Sequence, residues 1–489
     1  MDRAGSADRL LAAGLSLAAF AFLMHFQPFS RPLVLDPATW DLMSVRLGQG
    51  LIPYRDIFLH KTPGALFFGA AGAMGADSLG LRPVAGAHGV YLLLGAMGPA
   101  LLYLVCRRTM SRPAALTAAL MMVAIDQWPA ASLEGVRPKV ATTTLGLSCL
   151  LAASMGRPAA AGVLGASAML CWQPGLAFLV GAAWTLGRGR EARRKILALS
   201  LGTLVPVLSL LVWLVSQSAL GDFMAQSLGF NLDYIAHHAR SPASTLARIW
   251  RLAWAWNRPE CLLALPAVAA LAWTRFGQKT GRATATMPRG LAAMGFSYLA
   301  MAFLSFQAWP DTILLVPVVA ALVAAGIHAL ADLLPGPAAF AKSIPVIAAL
   351  GLALSPQSSR LEAPIDFDEQ AFFMKRLASG LEADARVLVV SLPEFELHTG
   401  FHSVWPWPYL WFGVDRFASD HSNGGFDSLL AGLDSNKPDL MLVARRWSGP
   451  LRARFENWAS TRYSRRRLYF FPHTRRPINV YRRLSEAPS

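Results

Sequence analysis

The chain is divided by short basic segments into long apolar runs, and this pattern decides most of what it can fold into. A run of about 20 apolar residues matches the hydrocarbon core of a bilayer, where each backbone N–H and C=O has to be satisfied within the segment, as a helix does. Runs of this kind fall at 10–27, 84–106, 114–128, 140–155, 159–172, 174–187, 196–218, 260–275, 290–306, 313–331 and 344–356. They predict an all-α polytopic membrane bundle of about eleven transmembrane helices, several of them at the short end for a span. The pair flanking Trp172, Gln173 and Pro174 reads either as two spans or as one broken, re-entrant unit. The first run lacks a small-residue cleavage site after it and is followed by many more, so it is an uncleaved helix rather than a signal peptide.

Charge distribution then sets the topology. The formal net charge is +16, which on a soluble surface would suit nucleic acid, but much of it lies in short segments between apolar runs. Lys and Arg collect in such segments on the cytoplasmic side. Arg3 and Arg9, and with them the N-terminus, the group Arg107, Arg108 and Arg112, then Arg157, Arg188–Lys195, Arg275–Arg289 and Lys342 are accordingly placed inside. An odd number of spans sends the C-terminus outside. Cys106, Cys149, Cys171 and Cys261 fall in or beside apolar runs and read as small hydrophobic residues, not as disulfides or metal ligands.

From residue 357 the composition changes. The segments 366–382 and 450–460 read as soluble helices, and 386–391, 437–445, 466–471 and 478–483 as strands. This divides the chain into a membrane domain, 1–356, and a small extracytoplasmic α/β domain, 357–489. The stretch from Arg445 to Arg483 holds twelve Arg against one acid, Glu456, and reads either as a solvated basic face or as a surface for phosphate-rich lipid.

The segment Leu33–Phe68 stands apart from all of this. It follows the first span, yet it carries Asp36, Asp41, Arg46, Arg55, Asp56, His60 and Lys61. Ionisable groups held against a bilayer are costly unless they pair or act on something. Residues 37–50 predict an amphipathic helix lying in the interface, with Pro37 at the first helical position, Trp40, Met43 and Leu47 on one stripe, and Gly48 and Gly50 ending it. On these grounds Asp36 reads as the helix N-cap, Lys61 as a snorkelling cation, and Tyr54, Arg55 and Asp56 as a turn with an ion pair.

An Asp soon after the first span, an amphipathic helix, then Pro53-Tyr54-Arg55-Asp56 and His60-Lys61-Thr62-Pro63-Gly64 together resemble the first external loop of GT-C membrane glycosyltransferases. The similarity is to the branch with protein mannosyltransferases, aminoarabinose transferases and galacturonosyltransferases. It implies a bacterial inner-membrane enzyme that moves a sugar, with inversion, from a polyprenyl-phosphate donor to a glycolipid, glycan or protein acceptor on the outer face. By this resemblance Asp36 is the catalytic base, and Lys61, with Arg55 or His60, binds the donor phosphate. The acidic pair usual in the family is here Asp36-Pro37, which leaves Asp41 and Asp126 as candidates for a second acidic role. Thr62 stands where the family has a first Pro.

Glu134, Arg137 and Lys139 on the next external loop read either as topology signals or as the lining of a phosphate or sugar pocket. Trp309 and Asp311, in the turn 307–311, sit where the family often contacts the carrier, although Trp309 also suits an interfacial belt. His237 and His238, with Asp233, are poor metal co-ligands because adjacent helical side chains diverge by about 100°. No phosphate-binding loop or dinucleotide motif is present, so the donor is expected to be lipid-linked and no cofactor, metal or nucleic acid is called for. The rival reading is a transporter or flippase of a lipid-linked glycan, whose polar groups should lie at mid-membrane on discontinuous helices. Here the charges gather on one side.

Overall fold

The computed structural model describes residues 5–187, 189–238, 241–256, 287–306, 309–331, 365–404, 414–421, 424–444, 449–468 and 478–484, with isolated positions besides. Helix α1 (Ser6–His25) packs antiparallel to α4 (Pro83–Arg107). At one end Asp8 accepts from Tyr103 Oη at 2.7 Å and Arg112 Nε at 2.9 Å, with Arg107 Nε at 3.2 Å. At the other end Arg82 reaches the carbonyl of Phe29. Arg107 and Arg112 therefore share the end of the bundle that holds the buried acid Asp8.

The chain shuttles between these two ends. Helix α5 (Arg112–Ala124) rises from the Asp8 end and bends by 58° into α6 (Gln127–Leu133). The segment 114–128, read as one straight span, is thus broken. Helix α7 (Pro138–Ser154) returns, and Arg108 donates to the Ser154 carbonyl at 3.1 Å. Helices α8 (Pro158–Cys171), α9 (Leu176–Leu186) and α10 (Arg190–Ser216) follow, so the apolar pair around Trp172 forms separate helices joined by a 3₁₀ turn, Gln173–Gly175. Small residues allow the closest crossing. A Cβ on Gly162 of α8 would lie 2.0 Å from the Leu199 carbonyl, and one on Gly202 of α10 2.1 Å from that of Ala159.

Beyond α10 come α11 (Leu220–Phe223), a π-helical turn Met224–Gly229, α12 (Phe230–His238) and α13 (Pro242–Trp256). Helix α14 (Arg289–Ser305) packs on α9, and α15 (Val316–Ala331) on α5, where Thr117 Oγ1 meets His328 Nε2 at 3.0 Å. Among the described residues four helices are long and apolar enough to cross a membrane, or up to five if the bent α5–α6 pair is one span. The expected spans at 260–275 and, for the most part, 344–356 lie outside the described residues, as does Cys261.

Two further helices separate α1 from α4. The first, α2 (Leu35–Gly48), carries Asp36. The second, α3 (Gly64–Ser78), was not among the predicted runs. It packs along the first part of α4: Tyr91 Oη donates to the Ala65 carbonyl at 2.8 Å, and a Cβ on Gly86 would lie 2.1 Å from the Gly72 carbonyl. The start of α3, and Lys61 just before it, is thereby sunk two turns down α4.

The C-terminal part contains α16 (Phe367–Leu377), β1 (Val387–Val390), α17 (Pro393–Thr399), α18 (Val414–His421), α19 (Gly425–Asn436), β2 (Leu440–Val443), α20 (Gly449–Ser460), β3 (Tyr463–Leu468) and β4 (Ile478–Arg483). Asp366 caps α16 by accepting from Glu369 N at 2.7 Å. The sheet order is β1-β2-β4-β3. Strands β1 and β2 pair in parallel, with Val387 opposite Leu440, and the other pairs are antiparallel. The third strand begins earlier than 466–471 suggested, and α17 to α19 had not been read. This unit sits on the Asp36 end: Gln370 bonds both the N–H and C=O of Leu33, at 2.8 and 2.9 Å, and Phe58 of the first loop packs among Phe230 and Phe417.

Candidate functional site

Helix α2 starts at Leu35 after extended Val34, so Asp36 lies in its first turn and is not the N-cap; no side chain caps this helix. Pro37 also fits there, because first-turn N–H groups need no partner within the helix. The turn ends at Gly48, as the glycines suggested. The stripe does not face lipid: Trp40 and Met43 are buried within the protein. With the capping role gone, the Asp36 carboxylate is free to face a different environment.

That environment is a cluster of cations. Arg137 Nη1 donates to Asp36 Oδ2 at 2.5 Å and its other arm engages Glu134. Lys139 Nζ pairs with Asp311 at 2.8 Å, both nearly buried. Lys61 Nζ stands 5.4 Å from the centre of the Trp40 ring, Lys139 4.8 Å from Trp172, and the Arg137 guanidinium 5.6 Å from Trp309. Three aromatic faces thus stand against three cations. The Asp36 side chain is nevertheless 66% accessible while protein surrounds it densely, so it lines an internal hollow.

The electrostatics follow from this geometry. Burial pushes the Asp36 carboxyl up, but Arg137, Lys61 and Lys139 outweigh it and hold it at about 2. Burial, then Lys139, lowers Lys61 to about 8, against the opposing pull of Asp36 and Asp311. Burial, then Lys61, lowers His60 to about 3, so it is neutral near pH 7 and does not act as a cation.

The loop that carries Lys61 is held from both sides. Tyr54, at a left-handed φ of 73°, sends its Oη to the Lys61 carbonyl at 2.7 Å. Gln226 of the π turn donates to the Tyr54 carbonyl at 2.7 Å and accepts from Leu59 N at 2.9 Å, and Asn231 donates to the His60 carbonyl. Tyr54 therefore positions Lys61 and does not line the hollow itself. Thr62 donates to the Met169 carbonyl at 3.1 Å, docking the loop on α8.

Of the residues singled out by sequence, Asp36, His60, Lys61, Glu134, Arg137, Lys139, Trp309 and Asp311 come together. Arg55 does not: it is exposed, paired with Asp56 at 2.9 Å and bonded to the Gln217 carbonyl. Asp41 points away from the hollow, toward His88 Nε2 at 2.9 Å and Val136 N at 2.9 Å. Asp126 is buried at the α5–α6 bend, next to Gln127, which accepts from Thr312 Oγ1 at 2.8 Å. Sequence reasoning missed Trp40 and Trp172 as cation platforms, and Tyr298, whose hydroxyl donates to the Asp311 carbonyl. Trp172 did carry a signal, a lone aromatic beside Gln and Pro at a helix break.

An apolar cavity of about 490 Å³ runs between α3, α8 and α10, lined by Gly64 at the start of α3 and by Phe67, Leu170, Val205, Leu210 and Trp213 among others. Phe67 and Val205 are 40% and 58% exposed, so the groove opens on the outer flank of the bundle.

No family model and no curated protein matches the sequence. Solved structures do match. ArnT from Cupriavidus metallidurans in the apo state aligns with a TM-score of 0.59 at 15% identity, over 98% of this chain and 99% of that one. The same protein bound to undecaprenyl phosphate gives 0.57 at 15%, with the same coverage. The Archaeoglobus fulgidus oligosaccharyltransferase gives 0.53 at 11%, over 95% of this chain and 72% of that one. The chain has the GT-C fold. At these identities the GT-C likeness establishes architecture, end to end, in a multi-pass membrane protein.

Proposed function

We propose that this GT-C protein is a glycosyltransferase that moves a sugar from a polyprenyl-phosphate donor to an acceptor hydroxyl, on the outer face of the bacterial inner membrane. The observation that carries the reading is one carboxylate, Asp36, ringed by Arg137, Lys61 and Lys139, in a protein that also has an apolar groove starting at Gly64, where the Lys61 loop enters α3. That combination suits a charged, lipid-tailed substrate meeting a neutral nucleophile. A fold shared with a protein crystallised with undecaprenyl phosphate supports the choice of lipid.

In this scheme the tail lies in the groove and the phosphate comes to Lys61 and Lys139. Asp36 takes the proton of the acceptor hydroxyl as its oxygen attacks the anomeric carbon. The bond from that carbon to the phosphate oxygen breaks, inverting the centre, and the electron pair leaves with the phosphate. The lysines stabilise the growing charge, the part a divalent ion plays elsewhere, so the scheme needs no metal. A carboxyl held at about 2 is a weak base in the empty site. Once the phosphate has paired with the lysines, their field on Asp36 is offset and its basicity rises, although Arg137, the foremost cation on it, stays paired. Arg137 and Glu134 keep Asp36 in place throughout.

The test is Asp36→Asn in purified protein given a panel of polyprenyl-phosphate sugars. Transfer should fall at least about a hundredfold with donor binding retained, because only the base is removed. Near-normal transfer by the folded variant would falsify the assignment.

A further inference from the structure

The C-terminal unit does more than rest on the membrane half. Its short helix α17 follows buried strand β1 and carries Glu394, Phe395 and Glu396, all buried. Glu396 forms a buried ion pair with Arg46, in the last turn of α2. Glu394 keeps one carboxyl oxygen buried without a hydrogen-bond partner, close enough to Asp41 of α2 to feel its charge. Asp41 is the hub of the contact. One of its oxygens meets His88 of α4 and the other accepts from Val136 N, the residue before Arg137. Gly135 seats this arrangement: at a φ of 90°, with a Cβ that would lie 2.3 Å from His88 Nε2 and 2.8 Å from Asp41 Oδ2, its place admits no side chain. A continuous path thus runs from α17 through Asp41 and Val136 to Arg137 and Glu134, and from them to Asp36.

We propose that Glu394 and Glu396 are positioning residues for transfer, which grip α2 at Arg46 and bear on Asp41 so that the Asp36–Arg137–Glu134 cluster is in register only while the C-terminal domain is docked. A domain used only for recognition of the acceptor would have no need to bury acids against the helix that carries the base. Burying a carboxyl with one oxygen unpartnered is costly, and such groups persist where the surroundings over-determine them. This inference rests on the reading of Asp36 as the base, but its structural half can be measured without transfer.

Glu394 also gives the contact a pH signature. Asp41 of α2 acts on Glu394 directly; of the other charged groups at this contact, Arg46 of α2 is paired with Glu396, His88 of α4 with Asp41, and His402 of the C-terminal unit lies in the field of Arg46. Burial, with Asp41 as a lesser cause, raises Glu394 from 4.5 to about 8. The docked state therefore holds a proton that the undocked state releases above about 4.5. Docking is favoured most below that value and weakens progressively as pH rises to about 8.

The experiment is hydrogen exchange over residues 35–48 in the full-length protein in phospholipid nanodiscs, together with steady-state transfer. Glu396→Gln and Arg46→Gln should each speed exchange in α2 and lower kcat about ten- to a hundredfold, with KM for the donor unchanged. The reversed pair Arg46→Glu/Glu396→Arg should recover both, which a mere loss of stability does not predict. Glu394→Gln, a mild change if the others fail to fold, should remove the pH dependence of α2 protection, exchange being divided by the intrinsic amide rate at each pH, between about 4.5 and 8. The proposal is overturned if Glu394→Gln and Glu396→Gln exchange as wild type at every pH, or if exchange speeds up while kcat stays put. If wild type consumes no donor, the proposed activity fails, and unchanged exchange alone then sinks the grip on α2.

Discussion

Replacing Arg137 by Gln separates the electrostatic part of the site from its shape. Its guanidinium side chain is only 6% exposed and is shared between Asp36 and Glu134. It is also the foremost of the cations that hold Asp36 at about 2. An opposite charge at contact distance moves a carboxyl by about 1–3 units, so the variant's Asp36 should titrate at roughly 3–5. The sign is that of a depressed acid: wild type keeps the benefit of the ionised carboxylate above 3.8 and loses it only as pH falls through about 2. The variant loses that window, and its acidic limb of transfer should move up into the range of a liposome assay between about pH 3.5 and 6. The stability effect should be smaller than the shift alone suggests, because Asp36 is two-thirds open to solvent and screened; about 1 kcal/mol is expected from that partner. Glu134, 19% exposed and stripped of its main cation, brings the total thermal cost to about 2–3 kcal/mol. The assay is the rate against pH, with donor binding measured separately since Arg137 also faces the hollow. A folded variant whose acidic limb lies where wild type's does would refute the reasoning.

Lys61→Ala should weaken binding of polyprenyl-phosphate sugar and slow carrier departure, and Lys61→Arg should recover part of both; equal binding by the alanine variant would return the phosphate role to Lys139 and Arg137. In wild type, donor affinity should fall as pH rises through about 8, where Lys61 gives up its proton, and that limb should vanish in Lys61→Ala; a titration by fluorescence or calorimetry decides it. Gly162→Leu should push α8 off α10, costing at least about 3 kcal/mol or preventing assembly, as thermal unfolding in detergent would show; a variant as stable as wild type contradicts the close crossing. Single cysteines at 36 and in α20 should react with a membrane-impermeant thiol reagent from the same side, and opposite sides would contradict the docking of the C-terminal unit on the Asp36 end.

What was legible in the sequence was local. Apolar helices showed because hydropathy is read one segment at a time, although only four of the described ones, or up to five, are long enough to cross a membrane, and α2 showed because Pro37, Gly48 and Gly50 mark its ends. Asp36 was misread as a cap since Asp before Pro suits that role; only the backbone shows the helix starting at Leu35. Helix α3 escaped notice because GALFFGAAGAMGADS is too short for a span and too rich in glycine for a confident amphipathic helix. The pairings that shape the site are long-range. Nothing near Asp41 announces His88, nothing near Arg46 announces Glu396, and cation platforms at Trp40 and Trp172 arise only when four separate segments meet. Arg55, read both as half of a turn's ion pair and as a helper to Lys61, ended on the surface in the ion pair with Asp56, beside the turn at Tyr54.

The apolar groove has a consequence for how such a protein experiences concentration. It opens sideways, between exposed apolar residues of α3 and α10, so under the proposed function a lipid-tailed donor would arrive by lateral diffusion and be counted per area of bilayer. Diluting the buffer leaves occupancy untouched, whereas diluting the carrier with inert phospholipid lowers it. A saturation curve drawn against mole fraction in the membrane should therefore superimpose for vesicle suspensions of any volume. The lipid composition around the protein becomes, in effect, the setting that controls its turnover.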